Sequence, residues 1–161
     1  MSLEKFINGI LLIYFPLMVI KAPLLDLYMF LPATSSYGDL LFHFYTWYGD
    51  YLKLEKPHFY VGIVWLELLV KWPLCIANFY GLFTNKSWVR TTCLIYGVST
   101  VTVMVAMFFD MVMSSRPTTL MSLYIPFMVF GLITTLKGLI PISSPIDHVR
   151  KKTSDGAKKR A

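Results

Sequence analysis

Two carboxylates lie inside long apolar runs of this sequence, where a charged group is expensive. Asp26 comes near the end of the first run, and Glu67 lies about ten residues into the second. An ionised side chain in the middle of a bilayer costs on the order of several kcal/mol, so acids in such positions usually mark a functional site and have a partner. We therefore predict that Asp26 and Glu67 are each other's partners.

The two acids are expected to lie at similar depth. If the first two runs are antiparallel helices, a rise of about 1.5 Å per residue places Asp26 and Glu67 within a turn or two of one another. Desolvation and mutual repulsion disfavour two neighbouring charges, so a touching pair would share one proton. The pair would then offer one donor and one anionic acceptor, which suits a cavity for a sterol hydroxyl or a cationic amine.

Nearby lysines leave an alternative open. Lys71 follows Glu67 by four residues, which is the favourable order for an ion pair within one helix. A structural salt bridge of this kind would neutralise Glu67 and leave Asp26 alone. Lys21 precedes Asp26 by five residues and is expected to point elsewhere around an α-helix. Asp110, at the end of the third run, is expected to be hydrated and outside the site.

The apolar runs predict an all-α membrane protein. The chain is 56% hydrophobic, and most of that content falls in four stretches of about 20 residues or more, the length that crosses about 30 Å of hydrocarbon. The stretches are approximately 6–31, 58–83, 88–113 and 119–140. A soluble core is excluded, and the predicted fold is a four-transmembrane-helix bundle.

Basic residues predict the orientation of the bundle. One side would carry Lys5, Lys86, Arg90, Arg150, Lys151, Lys152, Lys158, Lys159 and Arg160, and the other would carry Lys53, Lys56 and Arg116. Because cytosolic loops are enriched in Lys and Arg, both termini are predicted to be cytosolic. The net charge of +6 then faces anionic lipid headgroups, and no nucleic-acid partner is expected.

The chain divides into a transmembrane domain and a tail. Residues 1–145 are assigned to the domain, and the basic residues 146–161 to a disordered cytosolic tail. Within the domain, residues 39–56 have aromatic side chains at helical spacing and predict an interfacial luminal helix. Trp47 and Tyr48 of this helix are predicted to roof a cavity between the spans. Pro16, Pro23, Pro73 and Pro126 interrupt the spans, either as ordinary kinks or around a vestibule.

The chain end carries a sorting pattern. Lys158 and Lys159 stand fourth and third from the end, the spacing that coatomer reads as a retrieval signal on membrane proteins of the endoplasmic reticulum (ER). This predicts a multi-pass ER membrane protein with coatomer as a partner of its tail. The cysteines and histidines lack the spacing of a metal site, so neither a metal nor another cofactor is predicted.

Several motifs resemble one family. The matching runs are Asp26-Leu27-Tyr28-Met29-Phe30-Leu31-Pro32, Glu67-Leu68 followed by Pro73, Trp88-Val89-Arg90-Thr91, Ile95-Tyr96-Gly97-Val98-Ser99-Thr100 and Ser122-Leu123-Tyr124-Ile125-Pro126. Together and in this order they resemble the sigma-2 receptor family of the EXPERA superfamily, and fungal members most closely. The similarity covers all four runs.

The resemblance implies a four-helix ER protein, dimeric in the relatives, whose cavity opens toward the membrane and accepts sterols and cationic amphiphiles. It implies that Asp26 meets a ligand amine, that Glu67 hydrogen-bonds to Asp26, and that Tyr124 forms part of the cavity wall. Tyr96 and Thr100 are expected to face the same space. Lys71 and Phe127 depart from the family pattern.

Two further functions are weighed against a non-enzymatic role in sterol and lipid homeostasis. The superfamily contains sterol Δ8-Δ7 isomerases, which use a His one turn before the second-span Glu and a further Glu on the third span. Here the first position is Ile63 and the third span has no Glu, so a proton shuttle lacks its parts. The fungal members also suggest an ER-surface quality-control factor with protein clients among non-imported mitochondrial precursors.

Overall fold

The computed structural model of the protein describes residues 3–30, 35–114 and 118–140, and every regular element within them is helical. The α-helices are α1 Leu3–Lys21, α2 Ser36–Tyr48, α3 Tyr51–Glu55, α4 His58–Leu66, α5 Trp72–Phe83, α6 Val89–Met113 and α7 Thr118–Leu139. Two π-helical turns, Ala22–Asp26 and Glu67–Lys71, and a 3-10 turn, Leu27–Phe30, complete the list. The predicted all-α class is confirmed. The tail with Lys158 and Lys159 lies outside the described residues.

Within the described residues, four helical segments are long and apolar enough to cross a membrane. These spans are Glu4–Phe30, His58–Phe83, Val89–Met113 and Leu120–Leu139. Large apolar side chains on their outer surface, such as Ile13 and Phe109, are mostly exposed. In lipid these side chains need no further cover. The four predicted spans are therefore confirmed, and the orientation of the termini stays a prediction.

The third and fourth spans pack against one another through small residues. α6 makes its most extensive contacts with α7. At Gly97 an added β-carbon would lie 2.5 Å from the backbone nitrogen of Thr135, so only glycine permits this approach. Small residues at helix interfaces allow backbones in a membrane to come close. The pair α6 and α7 thus forms one firm wall of the bundle.

Each of the first two spans contains a π turn beside a proline. Pro23 lies within Ala22–Asp26, and Pro73 comes two residues after Glu67–Lys71. Pro23 has no N–H to donate to the carbonyl of Val19, four residues earlier. The indole N–H of Trp72 donates to that carbonyl at 3.0 Å, so the second span supplies the missing hydrogen bond. Pro16 and Pro126, in contrast, lie inside continuous α-helices.

The segment between the first two spans forms two helices where one was predicted. Gly49, in the left-handed conformation at φ +69°, ends α2, and α3 begins at Tyr51. Glycine adopts this conformation without steric cost, which explains the break in the predicted helix 39–56. The hydroxyls of Tyr37 and Tyr45 donate to the carbonyls of Leu24 and Leu25 at 2.7 and 3.1 Å. α2 is thereby fixed over the unwound end of the first span.

Candidate functional site

A cavity lies among the four spans beneath α2 and α3. It contains about 880 Å³ of empty space, including the part open to the outside. The first three spans and the two short helices all contribute polar side chains to it, and the fourth contributes Tyr124. Apolar lining comes from Met18, Leu25, Phe44, Ile63, Val64, Met104, Met107, Leu123 and Phe127. One water takes up about 30 Å³ of liquid, so this space exceeds a hydration site.

Five of the seven residues predicted for the site line this cavity, namely Asp26, Glu67, Tyr96, Thr100 and Tyr124. The other two, Trp47 and Tyr48, do not. α2 faces the cavity with Phe44 and Tyr45, whereas Trp47 is 80% exposed. Successive helical residues are rotated by about 100°, so Trp47 points away from the face that carries Tyr45. The roof is therefore formed by residues other than those expected.

Asp26 is held by two lysines. Its side chain is 3% exposed, and its oxygens lie 3.1 Å from Nζ of Lys21 and 2.9 Å from Nζ of Lys53. The predicted pairing of Asp26 with Glu67 is therefore wrong, because each carboxylate pairs with lysine instead. The mutual repulsion that would have required a shared proton is removed by these cations.

Glu67 is held by Lys71 on its own helix. Nζ of Lys71 lies 2.6 Å from one carboxylate oxygen of Glu67, and Nζ of Lys21 lies 3.9 Å from the other. The alternative with a same-helix salt bridge is thus the one that forms. Lys21 stands between the two acids and contacts both.

The π turns explain why Lys21 reaches Asp26. Hydrogen bonds in a π-helix connect residues five apart, so residues at this spacing stack on one face. Lys21 directly precedes the turn Ala22–Asp26, and Asp26 ends it. The expectation that Lys21 points elsewhere assumed an α-helix and is wrong for that reason. The second acid, Glu67, begins the other π turn, and its lysine, Lys71, ends it.

The charges of the cavity balance. Its lining holds three acids and three lysines, namely Asp26, Asp50, Glu67, Lys21, Lys53 and Lys71. Lys53 was expected at the luminal surface, yet its side chain is 6% exposed. Lys53 reaches Asp26 because α3 docks onto the bundle, and no local sequence pattern predicts that contact. At Asp26 and Glu67 a ligand therefore meets neutralised ion pairs rather than a free anion.

The lysines also lie over aromatic rings. Nζ of Lys71 is 5.5 Å from the centre of the Tyr96 ring, and Nζ of Lys21 is 5.4 Å from that of Phe127. Such contacts add about 0.5–2 kcal/mol each. Phe127 thus supports a cation in this chain.

Hydroxyl groups of the lining are mostly engaged. Thr100 Oγ1 donates to the carbonyl of Tyr96 at 2.8 Å, and the hydroxyls of Tyr14 and Tyr96 lie 3.3 Å apart. The Tyr124 hydroxyl donates to Oδ2 of Asp50 at 2.9 Å. The other oxygen of Asp50, Oδ1, is buried without a partner among the described residues. Among the described residues it is a buried acceptor that a ligand could use.

Burial raises the pKa of Asp50, against the opposing effect of the hydrogen bond from Tyr124. The folded protein then binds this proton more tightly than the unfolded chain does. The contribution of Asp50 to stability is therefore fully present below its ordinary pKa of 3.8 and is lost as the pH rises through the raised pKa.

We expect Asp50→Asn to raise the melting temperature in detergent at pH 7, because the amide keeps an acceptor for Tyr124 and buries no charge. The difference from wild type should shrink as the pH falls toward about 4. Asp39→Asn is the control, since Asp39 is exposed in the first turn of α2, where a carboxylate is favourable. A melting temperature that Asp50→Asn leaves unchanged at both pH values would contradict this account.

Comparison with known proteins identifies one family. The model of the family EXPERA (expanded EBP superfamily) matches residues 34–137, which include α2, α3, the second and third spans and most of the fourth. The match begins after Lys21 and Asp26. No curated protein and no solved structure matches the chain.

Proposed function

Because the chain belongs to the EXPERA superfamily, we propose that it is a non-enzymatic sterol-binding membrane protein of the sigma-2 receptor type that acts in sterol and lipid homeostasis. The observation that carries the proposal is the cavity, which combines a wide apolar wall with a charge cluster that is neutral in itself. An occupant suited to this lining is a largely apolar molecule with a small polar end. A sterol has this form.

The polar end of the ligand has an acceptor to meet. Asp50 Oδ1 is buried and lacks a partner within the described chain, so a ligand hydroxyl that donates to it would recover a hydrogen bond. Asp26 and Glu67 hold their lysines and shape the neutral cluster around this end. Cationic amphiphiles are the weaker ligand class in this proposal, because an amine must displace a lysine from Asp26.

An isomerase remains the disfavoured function. Ile63 lines the cavity where a catalytic His would be needed, and the third span contributes Tyr96, Thr100, Met104 and Met107 to the lining. None of these side chains is a carboxylate that could accept a proton from a sterol carbon at neutral pH.

Location and partners are part of the same proposal. We place the protein in the ER membrane with cytosolic termini, as a homodimer whose Lys158 and Lys159 engage coatomer. A role in the handling of mitochondrial precursors, with protein clients of the tail, stays a prediction about residues outside those described.

Labelling by a photoreactive sterol in membranes tests the proposal. Met104→Trp would fill the cavity, so we expect labelling of this variant to fall several-fold. Val105→Trp is the matched control, because Val105 is 53% exposed on the outer surface and does not line the cavity. The purified protein should also leave a Δ8 sterol unconverted. Equal labelling of the two variants would overturn sterol binding in the cavity, and formation of the Δ7 product would overturn the non-enzymatic assignment.

A further inference from the structure

A second cavity lies at the opposite end of the bundle. Its lining includes Glu4 and Asn8 at the start of the first span, Gly81 and Leu82 at the end of the second, Val89 and Arg90 at the start of the third, and Lys137 at the end of the fourth. Its empty volume is about 680 Å³, including the part open to the outside. The ends of spans lie where the hydrocarbon meets the lipid headgroups. The cavity therefore lies at headgroup level.

The charge of this second cavity is positive. Lys86, Arg90 and Lys137 line it together with a single carboxylate, Glu4. Glu4 is already paired, because its Oε1 lies 2.8 Å from Nζ of Lys137. Two cations therefore remain for another anion. In the first cavity, by contrast, acids and lysines are equal in number.

Arg90 lacks a partner for a buried donor. Its Nε is buried and has no hydrogen bond among the described residues. Glu4 is close enough to interact electrostatically with Arg90, but its salt bridge is with Lys137. A buried donor left unsatisfied costs about 1–3 kcal/mol, and more when charged. An anion that accepts from this group would remove that cost.

Further donors surround the same space. α6 begins at Val89, so the positive end of its dipole lies beside Arg90 and favours an anion there. Ser87 contributes a hydroxyl. The side-chain amide of Asn8, whose Oδ1 is also buried without a partner among the described residues, offers an NH₂ group in its flipped orientation.

We propose that this second cavity binds an oxyanion of the phosphate class through Arg90 and Lys86. A guanidinium fork and a helix N-terminus are the groups that suit a phosphate, because both direct N–H donors at its oxygens. The phosphate can come from a phospholipid headgroup at this depth or from a soluble molecule. This inference goes beyond the proposed function and does not depend on it, because it concerns other residues at the other end of the spans.

Binding of short-chain lipids to the purified protein in neutral detergent tests the inference. The probes are dioctanoyl phosphatidic acid, dioctanoylglycerol, which lacks the phosphate, and inorganic phosphate as a competitor. We expect phosphatidic acid to bind and dioctanoylglycerol not to compete with it. Arg90→Gln should weaken the binding at least about tenfold, as the loss of a charged hydrogen bond implies, and Lys86→Gln should weaken it less.

Lys5→Gln is the matched control, because Lys5 is an exposed cation near the same end that does not line the cavity. Competition by inorganic phosphate would identify a soluble anion as sufficient, and its failure would identify the lipid headgroup; both support the site. If Arg90→Gln does not fold, Lys86→Gln and Arg90→Lys carry the test. The proposal would be overturned if the Arg90 and Lys86 variants all bound phosphatidic acid as tightly as Lys5→Gln does. It would also be overturned if dioctanoylglycerol bound as tightly as phosphatidic acid.

Discussion

Asp26→Asn is expected to destabilise the protein by about 3–5 kcal/mol, the cost of removing one partner from a buried ion pair. The substitution keeps the size of the side chain but leaves the charge of Lys53 buried, with a side chain only 6% exposed. Lys21 loses its nearest carboxylate as well and keeps only Glu67 at 3.9 Å. Thermal unfolding in detergent, followed by tryptophan fluorescence, measures the effect.

The rescue distinguishes lost charge pairing from general damage. Lys53→Met in the Asp26→Asn background removes the stranded cation, and we expect it to restore most of the lost stability, since replacing both partners of a buried pair is often neutral. The exposed Asp39→Asn serves again as the control for a lost carboxylate. A double variant as unstable as Asp26→Asn alone would show that Asp26 contributes through something other than its lysines.

Lys21→Met is expected to turn the cavity into a better site for cationic amphiphiles. The change leaves Asp26 with Lys53 and Glu67 with Lys71, but it removes the cation between the two acids. An amine that enters can then replace it, and we expect its affinity to rise by about tenfold or more, the worth of a hydrogen bond between charged groups. The affinity for a neutral sterol should change much less, which competition binding in detergent will measure.

Lys56→Met is the matched control for this gain. Lys56 follows α3, close to the same end of the bundle, but does not line the cavity. Its loss therefore removes one positive charge without vacating a position between carboxylates. If Lys21→Met and Lys56→Met raised the affinity for the amine equally, net charge alone would attract the amine, and the position of Lys21 between the two acids would not matter.

The sequence predicted the parts of the site that depend on single helices. Run length and hydropathy located the four spans, and the cost of a buried charge singled out Asp26 and Glu67. The family motifs added Tyr96, Thr100 and Tyr124, and all five residues line the cavity. Their place in the lining could be inferred because membership of a span follows from the local sequence, and their role in ligand binding stays a prediction.

What the sequence missed depends on backbone detail or on distant contacts. Lys21 was assigned to another face because α-helical spacing was assumed across a stretch that forms a π turn. Lys53 lies 27 residues after Asp26 in the chain and contacts it because α3 docks onto the bundle. α2 also docks with the face that carries Tyr45, so Trp47 on another face of the same helix does not line the cavity. In each case the local pattern was compatible with two geometries, and tertiary packing selected one.

The two π turns also bear on how such chains diverge. A π turn holds one residue more per hydrogen-bonded ring than an α turn does, so a single deletion within 22–26 or within 67–71 allows the span to close as a regular helix. The span keeps its apolar surface, and because the π turn has absorbed the extra residue, residues on both sides of the deletion keep their faces. One codon lost between Lys21 and Asp26, or between Glu67 and Lys71, would therefore leave each acid and its lysine three or four residues apart, still on one face of an α-helix. Alignments of relatives should therefore tolerate one-residue gaps at these two positions, with the acid and its lysine kept on either side.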